Sequence, residues 1–368
     1  MGIASVSRAT NAGTGMGSLR QRSMRLRYVL GLGILCGGVA VAQPLAAPAP
    51  LIDTPKTALA GETALAGSDI SVMTYNVKGL PWPLADGRGA AMRQIAARLA
   101  QLRAEGRQPT VVVLQEAFTA EAKAIGDLAG YPFRIDGPYL RDGPGERETA
   151  GGRWYRGETQ AAELDSGLII LSDLPVTGVS RAPFPTGACA GYDCLAAKGV
   201  VMVTLQVPGR GSLAVATTHL NSRAASGAPY PRTHEAYRKQ AAFLAGFVSR
   251  ELPAGVPLIV AGDFNRGQRP VRSAALRSAF GPLREALGER MGEDARGIGR
   301  SSDARWIRQR ARDMQFLFDG RGLGLDAVAA DIPFGTEPGR DMLSDHMGFT
   351  IHYRLVPRPV SAKPNRAA

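Results

Sequence analysis

The chain has 368 residues, of which 45% are hydrophobic and 21% charged, with 45 glycines and 25 prolines. These proportions belong to a folded, turn-rich globular chain and exclude a disordered protein or one that crosses a membrane many times. The formal charge of +12 favours polyanionic partners such as nucleic acid or an anionic lipid surface, although arginine-rich composition also follows genomic bias.

In chain order, Arg25 and Arg27 precede an apolar run from Tyr28 to Ala42, and Ala40-Val41-Ala42 before Gln43 has the small-x-small form of an export-signal cleavage site. The run is about fifteen residues, short of the roughly 20 a spanning helix needs. Residues 1–42 are therefore expected to be a cleaved signal peptide, leaving no stable membrane span and a periplasmic or secreted protein. Met24 is a second candidate start, and Cys36 is a poor lipidation site because Leu35 stands where a small residue belongs. Cleavage removes five arginines and no acid, so the charge falls from +12 to +7. Residues 43–69, rich in Ala, Pro, Gly and Thr, read as a flexible linker, with the fold starting near Ile70.

Short apolar runs rich in branched side chains then recur between turn residues, as buried strands require. They run from Ile70 to Tyr75, Thr110 to Leu114, Gly167 to Leu171, Val200 to Val207, Leu213 to Thr218, Leu258 to Ala261, Met314 to Phe318 and Gly348 to Tyr353. Helical periodicity covers Ala91 to Leu102 and Glu235 to Leu252, with further helices expected from Ala120 to Leu128 and Val271 to Phe280. Strands and helices interleaved through one span predict an α/β fold of the layered sandwich type. Cys189 and Cys194, in a Pro/Gly-rich loop of an exported chain, are expected to form a small disulfide. Residues 356–368 begin Val356-Pro357-Arg358-Pro359, which cannot extend a central strand, and read as a disordered tail.

Polar residues close several of these strands, and an apolar strand delivers its terminal side chain to a fixed point at the sheet edge. Asn76, Glu116, His219, Asp263 with Asn265, and Asp345 with His346 occupy such places. Taken singly, each is more often a turn former or an ordinary histidine. Taken in order, Tyr-Asn-Val, Leu-Gln-Glu, Ser-Gly-Leu-Ile-Ile-Leu-Ser, Thr-His-Leu, Gly-Asp-Phe-Asn and Ser-Asp-His, spread from Met73 to Phe349, resemble the endonuclease/exonuclease/phosphatase superfamily. The resemblance implies a four-layered α/β/β/α sandwich of two mixed β-sheets flanked by helices, over residues 70–355. It also implies a magnesium-dependent phosphoric ester hydrolase, with manganese as a substitute ion, acting on phospholipid or nucleic acid; separately, a monomer is expected.

Hydrolysing a phosphate ester needs a hard cation, a base for water and donors for the phosphoryl oxygens. The resemblance assigns Glu116 and the amide oxygen of Asn76 to the metal centre, with Asp345 bound to it or close by. His346 is the expected base. Asp263 would orient water, and Asn265 and His219 would contact the phosphoryl group, His219 as a candidate acid. Members of the superfamily carry an aspartate in a late strand, in a pattern like Ile-Asp-Tyr-Ile-Phe, that supports the base. The stretch aligned with it, Arg312-Asp313-Met314-Gln315-Phe316, places Gln315 where that aspartate is expected. Asp313 and Gln315 share a face of a regular strand, so either Asp313 with a local shift, or Gln315 without charge, is a candidate support for His346. His234 and His352 are read as structural or exposed.

The loops narrow the substrate less. Trp82, in Gly79-Leu80-Pro81-Trp82-Pro83, is either a lipid contact or packing under its loop. Residues 136–163 interleave arginines with Trp154 and Tyr155, and either clamp phosphates and bases or form a solvated insert. An extracellular nuclease is the alternative reading, and a non-catalytic binding protein with the same fold is a third.

Overall fold

A computed structural model describes residues 69–139, 152–291, 301–337 and 341–359. The expected leader, nearly all of the linker, residues 140–151 of the arginine-rich loop and the tail from 360 lie outside the described residues. Among the described residues twelve strands follow in chain order. They are β1 (Asp69–Gly79), β2 (Val111–Ala117), β3 (Phe133–Asp136), β4 (Ile169–Ser172), β5 (Val176–Pro183), β6 (Gly199–Val207), β7 (Gly211–His219), β8 (Leu258–Asp263), β9 (Arg284–Glu285), β10 (Asp313–Phe318), β11 (Leu323–Phe334) and β12 (Gly348–Pro357). They pair into two mixed six-stranded sheets, in the orders β11-β12-β1-β2-β4-β3 and β5-β6-β7-β8-β10-β9.

Side-chain alternation along the strands builds three apolar layers. Ile70 and Val72 of β1, Val111 and Val113 of β2, Val215 of β7 and Ile259 of β8 pack between the sheets. Met73, Tyr75 and Val77 face outwards under α1 (Arg88–Ala104), against Met92, Ile95 and Leu99. On the far side, Ala214, Ala216, Leu258 and Val260 meet Tyr237, Leu244 and Phe247 of α4 (Tyr230–Glu251) and Leu276 of α5 (Pro270–Phe280). Helix, sheet, sheet and helix are thus stacked as the four-layered sandwich.

The span from Ala120 to Leu128 is two short helices, α2 (Ala120–Lys123) and α3 (Ile125–Leu128), rather than one. The Thr119 side chain accepts from the Ala122 N–H and caps the first. Two helices had no clear signal, α6 (Ala286–Met291) and α7 (Ser302–Arg310), the latter capped by Ser301.

The four strands that the apolar runs did not announce, β3, β5, β9 and β11, are the four sheet edges. An edge strand is covered less completely and needs no continuous apolar run; every residue of β5 retains some exposure. β12 runs past the expected Tyr353 and two residues into the expected tail, with Pro357 opposite Leu323 as its last residue. Cys189 and Cys194 are joined in a disulfide. Trp82 is 78% exposed, so it does not pack under its loop.

Candidate active site

Each sheet contains one parallel pair, β1 with β2 and β7 with β8, and the C-terminal ends of these four strands converge at one end of the sandwich. Period-two alternation puts Asn76 on the inter-sheet face with Val72, His219 with Val215, Asp263 with Ile259 and Asp313 with Leu317. The same alternation would send Glu116 outwards with Val112 and Leu114. A φ of 56° at Glu116 breaks it and brings the carboxylate against Asn76. Before Asp263 the chain needs glycine, because a Cβ on Gly262, whose φ is 153°, would lie 2.2 Å from the Thr218 carbonyl oxygen.

Asn76 Nδ2 donates to Glu116 Oε1 at 2.9 Å and to Asp263 Oδ2 at 3.1 Å, joining carboxylates from the two sheets. It is therefore the amide nitrogen, not the oxygen expected as a ligand, that faces them; Oδ1 accepts from the Lys78 N–H at 3.1 Å. His346 Nδ1 lies 2.7 Å from Asp313 Oδ2, and its Nε2 is 3.8 Å from Asp263 Oδ2. His219 Nε2 is 3.4 Å from the same Asp263 oxygen. Asn265, at φ 46°, donates its N–H to Asp263 Oδ1 at 2.9 Å and its Nδ2 to the Leu220 carbonyl at 3.0 Å.

Two sequence expectations change. The carboxylate on His346 is Asp313 without any local shift; Gln315 lies two residues deeper, donating to the Val72 carbonyl at 2.9 Å and accepting from the Tyr353 hydroxyl at 2.6 Å. A step of two residues preserves the face of a strand, which is why the sequence pattern leaves both candidates open. Asp345 stays outside the cluster, its side chain half exposed and 3.8 Å from Lys78 Nζ. His352 pairs with Asp331 and His234 stacks on Tyr230, both away from the site.

The charges oppose one another. Burial alone would lower the His346 pKa, but Asp313 and then Asp263 outweigh it and raise it to about 9. Burial and the neighbouring Lys198 ammonium hold His219 at about 3, against the pull of Asp263 and Asp193. His219 is thus a neutral ring that can offer a hydrogen bond, which alters the expectation of an acid. Burial also pushes Glu116 up, and the Asn76 amide, His346 and Lys198 only partly offset it.

A carboxyl strained by burial is one that a cation relieves. Glu116, His219 and Asp263 each offer a ligand atom within 4.8 Å of the others, and so do Asp263, Asp313 and His346. His219 Nδ1 and Asp313 Oδ1 are buried with no hydrogen-bond partner among the described residues. The carboxylate-rich donor set fits a hard divalent ion such as magnesium or manganese.

The sequence reading missed a supporting layer. Lys198, just before β6, forms an ion pair with Asp193 and stands 3.2 Å from His219 Nε2. Asp193 also accepts from the Ser222 N–H at 3.1 Å and from its hydroxyl, and it sits on the 3-10 turn Gly191–Leu195 at the disulfide. The one available signal was a lysine abutting a strand of otherwise apolar residues. Arg312, whose Nη1 lies 3.3 Å from His346 Nε2, was passed over beside Asp313.

Among solved structures the fold is similar to a mutant beta toxin from Staphylococcus aureus with bound magnesium ions, at a TM-score of 0.54 and 18% identity, covering 78% of this chain and 99% of that one. Sphingomyelinase C from Streptomyces griseocarneus gives a TM-score of 0.52 at 22% identity, with 77% and 99% covered. D. rerio TDP2 complexed with single strand DNA product gives 0.50 at 18% identity, with 78% and 99% covered. At these identities the likeness is one of fold. No curated protein matches the sequence significantly. The model of the Endonuclease/Exonuclease/phosphatase family, however, matches residues 73–346, from the strand that carries Asn76 to His346 itself. With most of the chain matched and the fold shared, this protein belongs to the Endonuclease/Exonuclease/phosphatase family.

Proposed function

We propose that the chain is an exported, magnesium-dependent phosphodiesterase, acting on phospholipid headgroups or nucleic acid, with His346 as the base. The observation that carries this reading is the Asp313–His346 pair, 2.7 Å apart, set beside the carboxylate cluster of Asp263 and Glu116. Asp313 holds Nδ1, so in the deprotonated ring, whose share grows as pH rises towards its pKa of about 9, Nε2 is the atom that takes the proton of the attacking water. The imidazolium so formed is stabilised by Asp313 and Asp263, the two carboxylates that raise its pKa. Asp345 adds to that field from outside the cluster. His219 as a neutral donor, Asn265 and the Lys198 charge behind His219 serve the phosphoryl oxygens.

A magnesium ion, with Glu116, Asp263 and a turned Asn76 amide as its nearest candidate ligands, would offset the charge that develops on the phosphate. The neighbours support the ester class from two directions, one being named a sphingomyelinase C and another holding a single strand DNA product. The disulfide Cys189–Cys194 supports export of the domain spanning residues 70–355 behind a leader at 1–42. The test is a magnesium assay against sphingomyelin, phosphoinositides, plasmid DNA and RNA. We expect hydrolysis of one class, abolished by chelator and by His346→Ala; activity that survives either treatment would refute the mechanism.

A further inference from the structure

We propose that Arg312 is a further catalytic residue, whose guanidinium binds a non-bridging oxygen of the substrate phosphate and, in doing so, uncovers the base nitrogen of His346. The proposal rests on the reading of His346 given above. Its first support is the rigidity of the mount. The Arg312 carbonyl accepts from the Phe264 N–H at 2.8 Å, and the Ala311 carbonyl accepts from the Gly267 N–H at 2.9 Å. Ala311 closes α7 in a left-handed conformation, with a φ of 45°. Arg312 is therefore clamped between the loop that follows Asp263 and the strand that begins at Asp313.

The second support is the inventory of donors. A guanidinium carries five N–H donors in a planar fork. Among the described residues, the one hydrogen bond of the Arg312 side chain is the 3.3 Å contact with His346 Nε2. Asp313 holds His346 through Oδ2, Asp263 accepts from Asn76 and the Asn265 N–H, and neither carboxylate forms a hydrogen bond with Arg312 among the described residues. Arg310 adds a second positive charge two residues earlier. It is stacked on the Trp306 ring at 4.4 Å and lies within electrostatic reach of Arg312, Asp345, Asp313 and Asp263. A half-buried arginine with unspent donors, held at the site by its backbone, is suited to an oxyanion.

The third support is where the contact falls. Nε2 is the nitrogen assigned to take the proton of the attacking water, so the phosphate must come within one water of it. A guanidinium touching the same nitrogen is within reach of the phosphoryl oxygens. A phosphate oxygen is also a stronger acceptor for a guanidinium than an imidazole nitrogen is, because both partners are charged. Phosphate binding therefore draws the fork off Nε2 and, in the deprotonated ring, frees that nitrogen for water when an ester is in place.

The test compares wild type with Arg312→Gln, Arg312→Lys and Arg312→Ala in two assays. The first is calorimetric titration of inorganic phosphate into the magnesium-loaded protein; the second is hydrolysis of bis(p-nitrophenyl) phosphate. Loss of one charge-assisted donor should weaken phosphate binding about tenfold to a hundredfold in Arg312→Gln. It should also lower kcat/KM about 10²–10³-fold, with Arg312→Lys recovering part of both. Added guanidinium chloride at sub-denaturing concentration should restore activity to Arg312→Ala. Near-UV circular dichroism separates this from misfolding, since a purely structural role would leave the phosphate affinity of the folded Arg312→Lys protein at the wild-type value. Wild-type phosphate affinity in folded Arg312→Gln overturns the proposal whatever happens to the rate. If the wild type hydrolyses no ester, the functional reading falls, and the phosphate titration still decides the role of Arg312.

Discussion

Replacing Arg272 with methionine removes a buried cation that holds two active-site loops together. Arg272, on α5, is wholly buried and donates from Nη1 to the carbonyls of Asn221 at 2.7 Å and Asn265 at 2.8 Å. Its Nη2 reaches the Ser222 and Thr233 carbonyls at 3.4 Å, and the guanidinium lies 4.3 Å from the centre of the Tyr237 ring. No carboxylate forms an ion pair with it among the described residues, so backbone dipoles and an aromatic face, with Asp193 at longer range, carry the charge. Each hydrogen bond to a charged group contributes about 1.5–3 kcal/mol. Methionine fills much of the volume and avoids burying a cation, but it leaves the Asn221 and Asn265 carbonyls without a donor, at about 1–3 kcal/mol each. Counting only the two short bonds, we expect a net loss of about 3–5 kcal/mol, a large part of the 5–15 kcal/mol typical of a folded domain.

Urea unfolding should show this as a lower midpoint with an unchanged slope. Arg272→Lys, which keeps the charge but not the fork, should lose about half as much. Activity should fall further than stability under native conditions, because Asn265 and Ser222 both lose their anchor. Ser222 holds Asp193, and through it Lys198 beside His219. An Arg272→Met protein with the wild-type urea midpoint would refute the account of how these loops are held.

Asp313→Asn should lower kcat about 10²–10⁴-fold with KM changed only a few-fold, because an amide cannot hold Nδ1 as the proton-bearing atom with the same charge behind it; steady-state kinetics decide this, and near-wild-type kcat would sink the pairing as a catalytic device. Glu158 is buried and accepts from the Arg153 N–H at 2.7 Å, the Gly191 N–H at 2.6 Å and Arg232 at 2.9 Å. Burial would raise its pKa, but these three donors hold it below the usual 4.5. A depressed folded pKa stabilises the protein above the unfolded value and loses that contribution as pH falls through the folded one. The gap in melting temperature between wild type and Glu158→Gln should therefore be full near neutrality and shrink below about pH 4. A gap that does not change with pH would mean that Glu158 is not held as a carboxylate.

Much of the frame could be read locally. The eight apolar runs all correspond to strands, because strands buried on two faces need continuous branched side chains. The edges β3, β5, β9 and β11 escaped because partial exposure admits Gly, Ala, Thr, Asp, Arg and Glu into the pattern. α7 escaped for a related reason: Arg305, Arg308 and Arg310 crowd its short span and leave Ala304 and Ile307 as its buried residues.

In the site, the one-dimensional pattern was sufficient for some residues and not for others. Asn76, His219 and Asp263 end buried strands at even steps from inward-facing Val72, Val215 and Ile259, so alternation alone sends them to the space between the sheets. Period two is a property of each strand by itself, and so the sequence determines it. Glu116 breaks that period through one positive φ, and the choice of Asp313 over Gln315 turns on how far along β10 His346 descends. Lys198 with Asp193, Arg272 and Arg312 gain their roles from residues between 5 and 51 positions away. Contacts at such separations depend on register between strands and on where loops cross the sheet ends, and only packing sets those. The side chains available for a phosphoesterase site were thus determined by sequence, while the tertiary structure decided which carboxylate holds the base and which cations surround it.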